Sequence, residues 1–198
     1  MITNDFIELI LKPIANNIVN YAEYSAFCIS NKFYTYQQLG ERISAIRNVI
    51  RHAKTDEPIW GLAIQDNLNT YASIIALWME GKAYVPLHPN WPQERNQSII
   101  NQVGLTNILD NCNVAFERYL LDDWKDVSNE AYAYLLFTSG STGAPKGVPL
   151  SRTNLASFIK AFNDLEYNLT HEDRCLQCFD LTFDLSVVSY VAPLIAGA

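Results

Sequence analysis

Hydrophobic and polar positions alternate along this chain in two rhythms. Leu39, Ile43, Ile46 and Ile50 recur at helical spacing, and Thr35 with Gln38 three residues on has the form of a capping box. An amphipathic helix with one buried face is therefore predicted over about 36–52. Ahead of it the pattern gives a leading helix, then a strand AFCIS that turns at Asn31 into KFYTY. From Pro58 the rhythm switches repeatedly. IWGLAI reads as a strand, Leu68 to Glu80 as a helix stopped by Gly81, AYVPL as a strand, about Pro92 to Gln102 as a helix, and NILD as a short strand. AYAYLLF is a buried strand and KGVPL a second extended piece; NLASFIKAF is a helix with Leu155, Phe158, Ile159 and Phe162 on one face. The last residues, VVSYVAPLIAGA, read as a helix. Strands alternating with helices of these lengths imply an α/β fold, a parallel-rich sheet flanked by helices.

Two stretches carry other patterns. Residues 111–130 are less periodic and include the acidic cluster DDWKD, which reads as a surface connection. In FDLTFDLS, Phe179, Leu181, Phe183 and Leu185 alternate with Asp180, Thr182, Asp184 and Ser186, so an extended chain there would carry one apolar and one polar row. Asp180 reads as a strand-end or helix-cap residue.

Composition narrows the function classes. The chain has 198 residues, 49% of them hydrophobic, enough for one sizeable core. Fourteen basic against twenty-one acidic residues give a formal net charge of -7, with no basic cluster, which argues against nucleic acid and anionic membranes as partners. The N-terminal stretch MITNDFIELILKPIANN has Asp5 and Glu8 early and Pro13 inside its apolar run. It reads as neither a signal peptide nor a membrane span, and a cytoplasmic protein with reduced cysteines is expected. Cys175 and Cys178 have the CxxC spacing of zinc and redox sites, but no second pair exists and the histidines lack ligand spacing. CLQCF reads as a strand, whose positions three apart face opposite ways, so a structural role is expected for the pair.

The chemistry concentrates in YLLFTSGSTGAPKGVPLS, from Tyr134 to Ser151. Glycine lets successive backbone N–H groups approach a phosphate, Thr138, Ser139, Ser141 and Thr142 add hydroxyl donors, and Lys146 adds a point charge. Such a loop could cradle a polyphosphate. The common phosphate loop GxxxxGK[ST] does not fit, because Lys146 precedes Gly147 and an extended segment follows where that motif opens a helix.

FTSGSTGAPKG resembles the signature loop of the adenylate-forming superfamily, which includes acyl-CoA synthetases, luciferases and the amino-acid adenylation domains of peptide synthetases. The likeness extends, in order and spacing, to KFYTYQQLGERI, GKAYVPLHPNWPQER and FDLTFDLSVVSYVAPLIAGA. One departure is His88, where the adenylation branch usually has an acidic residue. The family's later segments are absent, those carrying the adenine pocket, the ribose-binding aspartate, a magnesium-binding glutamate and the lysine of a small C-terminal domain. Residues 1–198 are therefore expected to be the first part of the large N-terminal domain, inactive alone.

The resemblance implies ATP and magnesium as cofactors, the metal's protein ligand lying beyond residue 198. It implies that Thr138, Ser139, Gly140, Ser141, Thr142, Gly143 and Lys146 hold the β- and γ-phosphates, with Lys146 as the catalytic charge. Asp184 matches the aspartate that receives the substrate's α-ammonium group in amino-acid-activating members, a task that needs a carboxylate. Leu185 and Val188 would lie near the side-chain pocket. The implied reaction joins an amino acid to AMP, expels pyrophosphate, and passes the acyl group to a phosphopantetheine thiol on a carrier protein. TFDLSV resembles both D-alanine–carrier protein ligases and free-standing adenylation domains. An acyl- or aryl-CoA ligase and a noncatalytic half-domain binding protein are the alternatives; an uncharged residue at 184 would be the sign of the former.

Overall fold

The computed structural model describes residues 4–110, 114–139 and 145–198. A π-helical turn, Ile7–Leu11, runs into α1 (Lys12–Asn20). The antiparallel pair β1 (Ser25–Ile29) and β2 (Lys32–Thr35) leads to α2 (Tyr36–His52). Thr35 accepts the Gln38 backbone N–H and the Gln38 side chain accepts that of Thr35, so the expected capping box forms and sets the start of α2. Then follow β3 (Ile59–Ala63), α3 (Leu68–Met79), β4 (Ala83–Leu87), α4 (Gln93–Val103) and β5 (Ile108–Leu109). After these come β6 (Tyr132–Ser139), β7 (Pro145–Ser151), α5 (Arg152–Asn163) and α6 (Leu185–Ala196).

The main sheet has the order β5-β3-β4-β6-β7. Its first four strands are parallel, and β7 returns antiparallel on β6. The α/β reading holds, and the antiparallel edge is an addition the pattern could not give, since direction depends on how short the connection is. Both faces of the sheet are covered. Tyr84, Tyr134 and Leu136 point into the larger core with α1, α2, α3, α5 and α6, whereas Val85, Leu87, Leu135 and Phe137 pack with Ile99 of α4. Such two-sided burial explains why AYVPL and AYAYLLF read as continuous apolar runs.

Helix α3 is buried all round, only Asn69 being partly open, and Trp78 Nε1 donates to the Ala133 carbonyl at 2.8 Å, fastening it to β6. Gly81 ends it: its φ of +74° lets Lys82 N–H reach the Leu77 carbonyl at 2.8 Å and its own N–H reach that of Trp78 at 3.1 Å. Tyr84 and Tyr190 join hydroxyls at 3.2 Å and so dock α6 onto the sheet. Burial pushes both phenols above their ordinary range.

Three expectations change. The segment at 111–130 is not merely superficial, for Leu120 and Leu121 are buried and the DDWKD cluster is tied down by a fully buried arginine. Arg47 donates to Glu80 Oε1 at 2.7 Å, to the carbonyls of Leu120 and Asp123, and to Asp123 Oδ1 at 3.2 Å. CLQC is not a strand. Both cysteines and Leu176 are exposed, so the segment has no apolar face to bury, and it gains no ladder partner. Phe158 is 49% exposed, because the buried stripe of α5 runs through Arg152, Leu155, Ala156 and Ile159 instead.

Candidate functional site at the carboxyl edge of the sheet

Strands β6 and β7 form a hairpin whose register is set by seven pairings, from Tyr132 with Ser151 to Ser139 with Pro145. Within it Thr138 lies directly opposite Lys146, and Phe137 opposite Gly147. Side chains of adjacent strand residues point to opposite faces, so Thr138 and Lys146 share the face of Leu136 and Tyr134, while Phe137 enters the α4 side. Both Thr138 and Lys146 are exposed, and the Thr138 hydroxyl donates to the Lys146 carbonyl at 3.5 Å. A Cβ on Gly147 would stand 2.9 Å from the Phe137 ring, so glycine there lets the two strands close over that ring. The hairpin thus brings the first hydroxyl and the only lysine of the glycine-rich sequence to one face. Ser139 ends β6; Gly140, Ser141, Thr142 and Gly143 lie outside the described residues.

The second element is the turn before α6. FDLTFDLS is not extended, for Asp180 Oδ1 accepts the Thr182 N–H at 2.8 Å and its hydroxyl at 2.7 Å, and the Phe183 N–H bonds the Asp180 carbonyl at 2.9 Å. Local side-chain bonds of this kind compete with a strand and win here. Leu181 and Thr182 are buried, whereas Phe179, Phe183 and Leu185 stay exposed, so the expected apolar row is broken. Asp184 is the N-cap of α6, its Oδ1 accepting the Leu185 N–H at 2.9 Å. Leu185 faces outward beside it, and Val188, one turn along, is half-buried. Burial first, and the charge of Asp184 second, push the Tyr134 phenol up to about 12. Asp184 is therefore within electrostatic reach of Tyr134, whose ring lies on the face of β6 that also bears Thr138 further along the strand.

A third element escaped the pattern reading. His88, just past β4, has Nε2 3.2 Å from Asp180 Oδ2, which ties the carboxyl end of β4 to the turn before α6. Asp180 is thus more than a cap. His88 also closes a turn, its Nδ1 accepting the Asn90 N–H at 3.0 Å. The only sequence signal was a histidine and an aspartate in two separate segments, which spacing cannot pair.

Among the described residues no group of three or more His, Cys, Asp or Glu side chains could hold a metal ion. No helix among them is long and apolar enough to cross a membrane.

A mostly parallel sheet with helices on both faces is an open-sheet α/β fold, a class in which ligands bind beyond the carboxyl ends of the strands. Within that class the chain belongs to the AMP-binding enzyme family, whose family model matches residues 14–198. It is 32% identical over 194 residues to a plipastatin synthase of Bacillus subtilis (strain 168), across 88% of this chain and 5% of that protein. Its fold superposes on the Vibrio cholerae adenylation domain AlmE, solved with glycyl-adenosine-5'-phosphate, with a TM-score of 0.79 at 24% identity, covering 94% of this chain and 43% of AlmE. Holo-PA1221, a peptide synthetase protein containing adenylation and carrier (PCP) domains, aligns with a TM-score of 0.75 at 16% identity over 94% of this chain and 35% of its own. The chain spans only a small part of the large synthetase it matches and less than half of these solved chains.

Proposed function

We propose that this chain is the first part of an amino-acid adenylating domain of the peptide synthetase type, working in the cytoplasm with ATP, an amino acid and a phosphopantetheine carrier protein. Family membership and the likeness to synthetase adenylation regions support the class. The observation that carries the site reading is the strand register that sets Thr138 opposite Lys146 at the end of the β6–β7 hairpin.

In this reading the substrate carboxylate attacks the α-phosphorus of ATP, the bond to the β-phosphate oxygen breaks, and pyrophosphate leaves. Lys146, the Thr138 hydroxyl and the donors of Ser139, Gly140, Ser141, Thr142 and Gly143 hold the β- and γ-phosphates as charge moves onto the leaving group. Asp184 takes the α-ammonium group, and the outward face of Leu185 with Val188 borders the amino-acid side chain. The thiol of a carrier protein then displaces AMP. Residues 1–198 supply the phosphate loop and the ammonium site. The adenine pocket, the magnesium ligand and the mobile lysine belong to further parts of the domain, so residues 1–198 alone are expected to give no ATP–pyrophosphate exchange. The shared wording TFDLSV and the glycyl adenylate in AlmE direct the substrate search to small amino acids, D-alanine and glycine first. A carboxylate at 184 speaks against an acyl- or aryl-CoA ligase.

The test uses the longer polypeptide in which this reading places the chain. The amino acid giving the fastest exchange is chosen from the proteinogenic set plus D-alanine and compared with its des-amino acid. Asp184 is exposed in the chain alone, and if the bound amino acid and the rest of the domain bury the pair, removing one partner costs roughly 2–5 kcal/mol, so Asp184→Ala should lower kcat/KM for the amino acid by about 30-fold to several thousand-fold. The des-amino acid should suffer far less. Asp184→Asn keeps size and one acceptor and should behave like the alanine variant. Equal losses toward both acids would reduce Asp184 to a helix cap.

A further inference from the structure

The His88 imidazole is held from three sides. Its Nδ1 accepts the Asn90 N–H at 3.0 Å, which leaves the proton on Nε2, and Nε2 lies 3.2 Å from Asp180 Oδ2. The ring stacks on Trp91 with centroids 5.8 Å apart, and the Arg95 guanidinium lies 4.0 Å from the Trp91 ring. The His88 carbonyl accepts from the Asn96 side chain at 2.9 Å. His88 is therefore held in place at the end of β4.

Asp180 spends its two oxygens in opposite directions. Oδ2 meets His88, and Oδ1 closes the turn through Thr182, which leads directly to Asp184. Leu181, in the middle of that turn, is buried. Burial is non-directional, however, so it holds the turn against the core without fixing its rotation. The tie from the sheet edge to the turn is the close polar contact of His88 Nε2 with Asp180 Oδ2 at 3.2 Å. Both side chains remain partly open, 20% for His88 and 38% for Asp180, so neither is a core-packing residue.

We propose that His88 is a positioning residue that acts through Asp180 to fix the turn carrying Asp184, and so sets the affinity for the substrate's ammonium group. The functional half rests on the proposed role of Asp184, whereas the positioning of the turn does not.

Two measurements separate these halves. In the 198-residue chain labelled with nitrogen-15, the side-chain spectrum should show His88 as the Nε2–H tautomer. One polar contact is worth a modest net amount, so His88→Ala should speed amide exchange of Thr182 and Phe183 by about 3- to 10-fold, Asp180→Ala by more because it also removes the acceptor of the Thr182 N–H, and the double variant no further than Asp180→Ala alone. Unchanged exchange there, an equal rise across β3 and β4, or an additive double variant overturns the positioning. In the longer polypeptide, with the amino acid chosen as above, His88→Ala should raise the KM for that amino acid by about 3- to 10-fold and leave the KM for ATP within about twofold. His88→Gln, which can still donate to Asp180, should restore most of the loss. A parallel rise in the ATP KM, or a glutamine variant as impaired as the alanine one, overturns the functional half. If no amino acid supports exchange, the proposed function fails, and the amide exchange still decides whether His88 holds the turn.

Discussion

Replacing Gly147 by alanine tests the hairpin that presents Lys146. Gly147 does not have a positive φ, so alanine is sterically free to adopt its backbone conformation. On that count the change should help, because it restricts the unfolded chain by about 0.4–1 kcal/mol. The ring of Phe137 opposes it. A new Cβ would meet its Cζ at 2.9 Å and a second ring carbon at 3.1 Å. The ring is 7% exposed and shares a tight cluster with Ala83, Val85, Leu87, Ile99 and Leu135, so it has little room to swing. Forcing extra volume into such packing costs about 1–3 kcal/mol, which outweighs the gain. The net expectation is a loss of about 1–2 kcal/mol, read by urea unfolding followed through tryptophan fluorescence and equivalent to a Tm about 2–8 °C lower for a chain of this size. Phe137→Leu removes the atoms in the way, so the double variant should be less destabilised than the sum of the singles by about 0.5 kcal/mol or more. A Gly147→Ala protein within about 0.5 kcal/mol of the parent, or an additive double variant, would refute the reasoning, since either means that the ring does not enforce glycine.

Other outcomes follow from single sites. Lys146→Ala in the longer polypeptide should slow adenylation by about 10- to 1,000-fold, as for one lost stabilising donor; parent-level exchange would make the hairpin merely structural. At Asp123, partial burial works to raise the carboxyl pKa, but the hydrogen bonds and charges of Arg51 and Arg47 outweigh it and hold the group below its ordinary 3.8. Because the folded value is the lower one, the contribution is present above the unfolded value and lost as pH falls through the folded one. Asp123→Asn should therefore flatten the loss of stability below about pH 4, and an unchanged pH profile would contradict that. Arg152 is fully buried, and burial pulls its pKa down to about 10, with Asp126 opposing. Its Nη2 donates to the Trp78 carbonyl at 2.7 Å, whereas Nε and Nη1 have no partner among the described residues. Arg152→Met should leave the unfolding free energy unchanged or raise it by up to about 2 kcal/mol; a loss above about 3 kcal/mol would mean that the charge is well compensated.

Much of this protein is determined locally. The capping box at Thr35, the amphipathic stripe of α2 and the stop at Gly81 each depend on residues within one or two helical turns, so the sequence states them outright. The runs AYVPL and AYAYLLF likewise announce strands buried on both faces, and FTSGSTGAPKG carries the family resemblance in its own order. What the sequence could not state is how distant segments meet. Antiparallel return of β7 places Lys146 opposite Thr138, a matter of register across the strand pair. The turn at Asp180 replaces the alternation expected of FDLTFDLS because its carboxylate finds backbone and side-chain donors two residues on, a competition that hydrophobic spacing does not register. Arg47 drawing in Asp123, and His88 reaching Asp180, join residues 76 and 92 positions apart. A charge declares its need for a partner in the sequence, but which partner it gets is decided only when the sheet and helices bring the two together and exclude the water that would otherwise serve.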